Sequence, residues 1–176
     1  TGEATTNFAV GDITVTGGTL SDFASTDSDT YTVKFTATAD GATTINIAAD
    51  GYTDANSNNN TASAEFNWTQ DDTAPAPTMT AVDADGNAVA DGATTNDAYL
   101  VLTIETGEAT TNFAVGDITV TGGSLSDFAS TDSDTYTVKF TPTADGATTI
   151  NIAANGYTDG AGNNNTASAE FNWTQD

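Results

Sequence analysis

The amino-acid sequence predicts an all-β protein: an antiparallel β-sandwich of about seven strands per repeat, in tandem array. Three observations carry that expectation. Residues 1–71 and 106–176 align without a gap at an offset of 105. They differ only at Thr19/Ser124, Ala37/Pro142, Asp50/Asn155, Ala55/Gly160, Asn56/Ala161 and Ser57/Gly162. Thr, Val, Ile, Tyr and Phe alternate with polar residues, the period-two signature of strands buried on one face. Gly, Asn and Asp punctuate those runs, and almost nothing reads as helix.

The seven strands follow in order. The first spans 78–82. The second, 98–105, places Leu100, Leu102 and Ile104 on one face. The third, 115–121, begins with Val115 leading in and buries Ile118 and Val120. The fourth is short, 125–129. The fifth, 135–141, turns Tyr136, Val138 and Phe140 inward and Thr137, Lys139 and Thr141 outward. The sixth, 148–153, buries Ile150 and Ile152. The seventh, 168–175, anchors the core with Phe171 and Trp173. The many outward threonines suit a strand face, where the branched side chain packs and the hydroxyl keeps the surface wet.

A period of 105 residues is too long for a solenoid unit, which runs about 20–50 residues, and matches one independent domain. The expected organisation is a partial repeat over 1–71 that lacks its first two strands, a complete repeat over 72–176, and a junction at 70–77. That junction reads Gln70-Asp71-Asp72-Thr73-Ala74-Pro75-Ala76-Pro77, and its two prolines impose a stiff, extended backbone. Without its first two strands, a sandwich should not be stable alone. Either a longer chain supplies them, which is the favoured reading, or another molecule donates them. The chain starts without Met and reads as an excerpt, so a missing leader carries no information.

Charge narrows the function. There are 25 acidic residues against two basic ones, Lys34 and Lys139, with no His, for a net charge of -23. Nucleic acid and anionic membrane surfaces both call for Lys and Arg and are disfavoured as partners. No run of about 18 apolar residues suggests direct membrane insertion. Cysteine is absent, so no disulfide supplements a core with only 37% hydrophobic residues. That absence also fits a chain exported unfolded. The usual nucleophile–base pairs are missing along with His and Cys, and no carboxylate pair stands out. The expectation is that the chain is not an enzyme.

The acids fall at predicted loops. Three loops, 105–112, 130–134 and 157–165, should share one pole with the incoming linker. They bring Glu105, Glu108, Asp132, Asp134, Asp159, Asn163, Asn164 and Asn165 toward Asp71 and Asp72. So many carboxylates repel unless compensated. Six to eight oxygen ligands are what Ca2+ takes, whereas zinc is disfavoured without His or Cys. A simply solvated acidic surface is the competing reading.

Glu3, Asp54 and Asn58 are the counterparts of Glu108, Asp159 and Asn163. The opposite pole collects Asp83, Asp85, Asn87 and Asp91 with the turn Asp145-Gly146. Its first-repeat equivalent, Asp40-Gly41, should face the linker. Asp83-Ala84-Asp85-Gly86-Asn87 is not an EF-hand, because its glycine and closing acid are out of place; a plain hairpin turn and a cation site are equal readings. The sequons at Asn59, Asn67, Asn164 and Asn172 read as chance occurrences in an Asn/Thr-rich chain.

Several segments carry a family resemblance: Asp72-Thr73-Ala74-Pro75, Asn112-Phe113-Ala114-Val115-Gly116-Asp117-Ile118-Thr119-Val120, Tyr157-Thr158-Asp159-Gly160-Ala161-Gly162-Asn163 and Phe171-Asn172-Trp173. The chain resembles bacterial immunoglobulin-like tandem repeats of giant secreted adhesins and biofilm-associated surface proteins. The resemblance implies immunoglobulin-like sandwiches that act as non-catalytic extenders, exported by type I secretion to the extracellular bacterial cell surface and stiffened by Ca2+. By motif match it implies a calcium role for Asp72, Glu108, Asp159 and Asn163, and for Asp54 and Asn58 in the first repeat. Partners would be neighbouring repeats of the same chain, or chain–chain contacts in a filament or surface layer. A glycan- or ice-binding module would need an exposed aromatic platform, and Tyr136, Phe171 and Trp173 are expected to point inward.

Overall fold

The computed structural model describes all residues from Thr1 to Asp176. They form two compact units, Thr1–Asp72 and Thr73–Asp176. The first unit contains β1 (Ile13–Thr16), β2 (Gly18–Ser25), β3 (Tyr31–Ala37), β4 (Gly41–Ile47) and β5 (Phe66–Gln70). These pair as one three-stranded sheet, β1-β4-β5, and one two-stranded sheet, β2-β3.

The second unit contains β6 (Thr78–Val82), β7 (Ala88–Val89), β8 (Ala93–Thr95), β9 (Leu100–Glu105), β10 (Ile118–Thr121), β11 (Gly123–Ser130), β12 (Thr135–Pro142), β13 (Gly146–Ile152) and β14 (Phe171–Gln175). One sheet runs β10-β13-β14-β8 and the other β11-β12-β9-β6-β7. All pairs are antiparallel except β8 with β14. This is the layered arrangement of an immunoglobulin-like sandwich.

The core of the second unit is the expected inward face of each strand. Leu100, Leu102 and Ile104 of β9 are fully buried, with Tyr136, Val138 and Phe140 of β12, Ile150 and Ile152 of β13, and Phe171 and Trp173 of β14. The Trp173 indole N–H donates to the Thr95 hydroxyl at 2.9 Å, so its one polar atom is satisfied inside the core. Outward threonines meet across strands, as between Thr121 and Thr149 at 2.7 Å.

The structure departs from the predicted strands in three places. Residues 115–117 form a single 3-10 turn, not the start of a strand, and Val115 is exposed. The cause is local: the Asp117 carboxylate accepts the Ala114 N–H at 2.8 Å and rounds the backbone. The fourth strand is longer than expected because β11 absorbs a bulge between Ser126 and Ala129, with Asp127 at φ +53°. Finally, the segment after β6 holds β7 and β8. Asp91 accepts the Asn172 backbone N–H at 2.7 Å, and Gly92 N–H donates to Asn172 O at 2.7 Å, which sets β8 parallel to β14. Three residues are too few to show a period.

Unit 1 repeats the geometry of its counterpart strand by strand, including the bulge in β2 at Asp22. Its core is open. Phe66 is 63% exposed and Trp68 43%, whereas Phe171 is 6% exposed and Trp173 1%. The sequences are identical there; what differs is the presence of strands equivalent to β6 and β9.

Candidate metal centre

One end of the second unit is a hydrogen-bonded knot of three loops and the incoming chain. The Thr106 N–H donates to Asp134 O at 2.7 Å, and Thr110 N–H to Ser133 O at 2.9 Å. The Thr110 hydroxyl donates to Thr158 O at 2.7 Å, and the Tyr157 phenol to Thr106 O at 2.6 Å. Burial pushes the Tyr157 phenol well above its usual range, so it stays a donor. Pro75 O accepts the Thr166 N–H at 2.8 Å. Gly107, at φ +87°, lies so close to Ala76 that an added Cβ would sit 2.7 Å from its nitrogen. Loops 105–112, 130–134 and 157–165 therefore share the end at which residues 75 and 76 enter.

Asp159 is the buried acid of this end. One carboxylate oxygen accepts the backbone N–H groups of Ala161, Gly162 and Asn163 at 2.7–2.8 Å; the other accepts the Asn163 side-chain amide at 2.9 Å. Burial works against its charge, but the bonds from Asn163, Gly162 and Ala161 hold the carboxyl below the usual carboxylate range. It is an anion at neutral pH. A carboxylate oxygen of Glu108 lies within 4.8 Å of one from Asp159. Two negative groups at that spacing leave room for one hard cation between them.

The first unit repeats the arrangement. Asp54 accepts the N–H groups of Asn56 and Asn58 at 2.8 Å, and the Asn58 amide at 2.8 Å. Asn58 above all holds the Asp54 carboxyl low, and the Glu3 side chain also reaches it. Ser57 takes the left-handed conformation, φ +66°, that Gly162 takes at +97°. Loss of the glycine therefore leaves the loop's closure intact, with Asp54 N–H bonded to Asn58 O at 3.0 Å.

The remaining sequence-expected ligands fall elsewhere. Glu105, exposed at the end of β9, accepts the Thr135 hydroxyl at 3.3 Å. Asp132 caps its own turn, accepting the N–H groups of Asp134 and Thr135 at 3.1 and 2.8 Å, while the Asp134 carboxylate accepts the Thr135 hydroxyl. Asp83 caps the β6–β7 hairpin by accepting Asp85 N–H, Asn87 N–H and the Asn87 amide, the same local pattern as Asp159. Asp85 is exposed there. Asp71 directly follows β5 and is half-buried. Asp72 donates its backbone N–H to Asp40 at 2.8 Å, and its carboxyl is raised by the Asp40 side chain and by Asp71. Asp40 and Asp72 are thus a like-charged pair.

Asn165 is a structural residue, not a free ligand. Its oxygen accepts Gly156 and Tyr157 N–H groups at 2.7 and 2.9 Å, and its amide donates to Ala153 and Thr166 carbonyls. Thr106, Thr110 and Asn112, which position these loops, carried no signal in the sequence. Near-identity of the repeats removes the contrast that would single them out.

Two sandwich-type units with aromatic cores and acid-capped end loops define a class of β-sandwich repeats. The family model described as "Bacterial Ig-like domain" matches residues 2–70 and again 72–174. The chain belongs to that family, in agreement with the resemblance read from its motifs. No curated protein and no solved structure gave a match. Such domains are typically non-enzymatic and often surface-exposed. No helix here is long and apolar enough to cross a membrane.

Proposed function

We propose that these are extender repeats of a bacterial cell-surface adhesin, non-catalytic and rigidified by calcium. The observation that carries this reading is the Glu108–Asp159 carboxylate pair on the loop end of the second unit, repeated as Glu3 and Asp54 in the first. Asp159 brings an oxygen that is already ionised and fixed in direction by its own turn. Glu108 brings a second, and the linker acids Asp71 and Asp72 are further donors one and two residues ahead of Thr73. An all-oxygen donor set favours Ca2+ over softer metals.

Extracellular modules bind calcium at about 10⁻⁴–10⁻³ M, so such sites are empty in a cytosol and filled outside. The chain would stay export-competent inside and stiffen on emergence. Each module adds roughly 35–45 Å, from strands of about 8–10 residues at ~3.3 Å per residue plus loops.

Calorimetry in millimolar CaCl2 and in chelator tests this. Calcium is expected to raise the melting temperature, and Glu108→Gln with Asp159→Asn to abolish most of that rise. Identical melts with and without calcium overturn the reading. A second reading, a filament or surface-layer building block, is favoured by the open face of the first unit; its oligomeric consequence is measured below.

A further inference from the structure

The most exposed aromatic surface of the protein is the inner face of the first unit. Phe66 and Trp68 of β5 are the exposed large aromatics, and two cavities lie along that face. One, of about 330 Å³, is walled by Phe8, Tyr31, Val33, Ile45, Ile47 and Phe66; the other, of about 400 Å³, by Phe35 and Trp68 among others. Every one of these residues has an identical counterpart 105 positions later. In the second unit those counterparts are covered, and what completes their core is β9 with Leu100, Leu102 and Ile104, flanked by β6. The two cavities mark the bed of a strand.

The backbone around the bed is already in register. In the second unit, β9 pairs with β12 from Glu105↔Thr135 to Leu100↔Phe140, then passes directly into Thr106. There the Thr106 N–H donates to Asp134 O at 2.7 Å, and its hydroxyl donates to Glu108 O and Asp134 O at 2.8 and 2.9 Å. Thr1 makes the same three bonds: its amino group to Asp29 O at 2.7 Å, its hydroxyl to Glu3 O and Asp29 O at 2.9 and 2.8 Å. A backbone entering Thr1 is therefore aimed along β3, as β9 runs along β12. β3 begins at Tyr31 where β12 begins at Thr135, one position earlier in the repeat, because Thr30 lacks the partner that Glu105 gives Thr135.

We infer that the open face of the first unit is the receptor for a strand pair of the β6–β9 type, covalently joined to Thr1 as Glu105 is joined to Thr106. The occupant is an extended Met-x-Ala strand followed by a Leu-x-Leu-x-Ile strand. The leucines and isoleucine fill the two cavities, and the main chain adds to the free edge of β3. A second copy of the chain is the weaker occupant. Its own β6 and β9 are fully engaged, and lending them would open an equal face in the lender. The inference is independent of calcium, so chelator results and these results can fail separately.

The test fuses a copy of residues 73–105 directly ahead of Thr1 and reads acrylamide quenching. The chain has two tryptophans, Trp173 buried and Trp68 exposed. In the 176-residue chain part of the emission is quenched; in the fusion that quenchable component is lost, the emission shifts to the blue, and sedimentation shows a monomer. If the fusion does not fold, a synthetic 73–105 peptide added to the parent chain is expected to protect Trp68. The same peptide with Leu100→Asp, Leu102→Asp and Ile104→Asp is expected to leave it quenchable. Two results overturn the inference: Trp68 equally quenchable with both the fusion and the peptide, or a parent chain that sediments as a dimer with Trp68 already protected. The second outcome would assign the face to another copy.

Discussion

At the scale of single residues, the two repeats act as controls for each other. Ser57 holds a left-handed φ that glycine adopts at no steric cost and other residues pay for in strain of about 1 kcal/mol. Ser57→Gly is expected to stabilise the first unit by about that amount, read as a rise in its thermal midpoint. Charge placement makes a second prediction. The Asp40 carboxylate, and Asp71 beside it, raise the Asp72 carboxyl above its usual range. A raised acid is a repulsive one: folding is disfavoured at pH above its folded value, and the penalty disappears as pH falls below the unfolded value of ~4. Asp72→Asn should therefore raise the midpoint at pH 7 without divalent ions and change nothing near pH 3. Asp159, Asp132 and Asp83 work in the opposite sense. Their hydrogen-bonded carboxyls lie below the usual range, so the stability they add is present above ~4 and is lost as pH falls further. A midpoint that rises on acidification below pH 4 would contradict that assignment.

At the scale of strands, burial decides energetics where sequence is constant. Phe171 and Phe66 occupy the same place in β14 and β5, yet one is 6% and the other 63% exposed. Truncating a buried phenylalanine costs about 3–5 kcal/mol through lost transfer energy and an unfilled cavity. Phe171→Ala is expected to destabilise the second unit by that amount in urea unfolding. Phe66→Ala should cost less than about 1 kcal/mol, because its ring already meets water. Equal losses at both sites would mean that the first unit's face is covered in solution. The aromatic cluster of Phe113, Phe128, Tyr136 and Tyr157 has the same edge-to-face packing as Phe8, Phe23, Tyr31 and Tyr52. The first unit thus keeps its loop-end packing and is open only along the β5 face.

At the scale of the whole molecule, a net charge of -23 on 176 residues is the dominant fact. Lys139 stands 4.0 Å over the Tyr99 ring, and nothing in composition balances the remaining acids. Self-repulsion of this size weakens the compact state and is screened by salt, with a Debye length of about 10 Å at 0.1 M. Raising NaCl from low concentration is expected to raise both midpoints smoothly. Calcium at far lower ionic strength should exceed that effect if the Glu108–Asp159 pair binds it. Calcium that does no more than an equal ionic strength of NaCl would reduce its role to screening.

Alternation and repetition were enough to determine the strands of a sandwich and the inward face of each, from Leu100, Leu102 and Ile104 to Trp173, because burial on one face imposes a period of two. They also indicated that acids gather in loops. Only tertiary structure decided that Asp159 is fixed by its own turn beside Glu108, while Asp132 and Asp83 cap turns and Asn165 clamps a loop. A carboxylate's role depends on which N–H groups reach it, and no spacing records that. β8 was likewise hidden, since its pairing comes from Asp91 and Gly92 meeting Asn172, 80 or more residues away. Identical sequence in β5 and β14 folds to the same strand with opposite burial, because exposure is set by the neighbouring strands and not by the residues themselves.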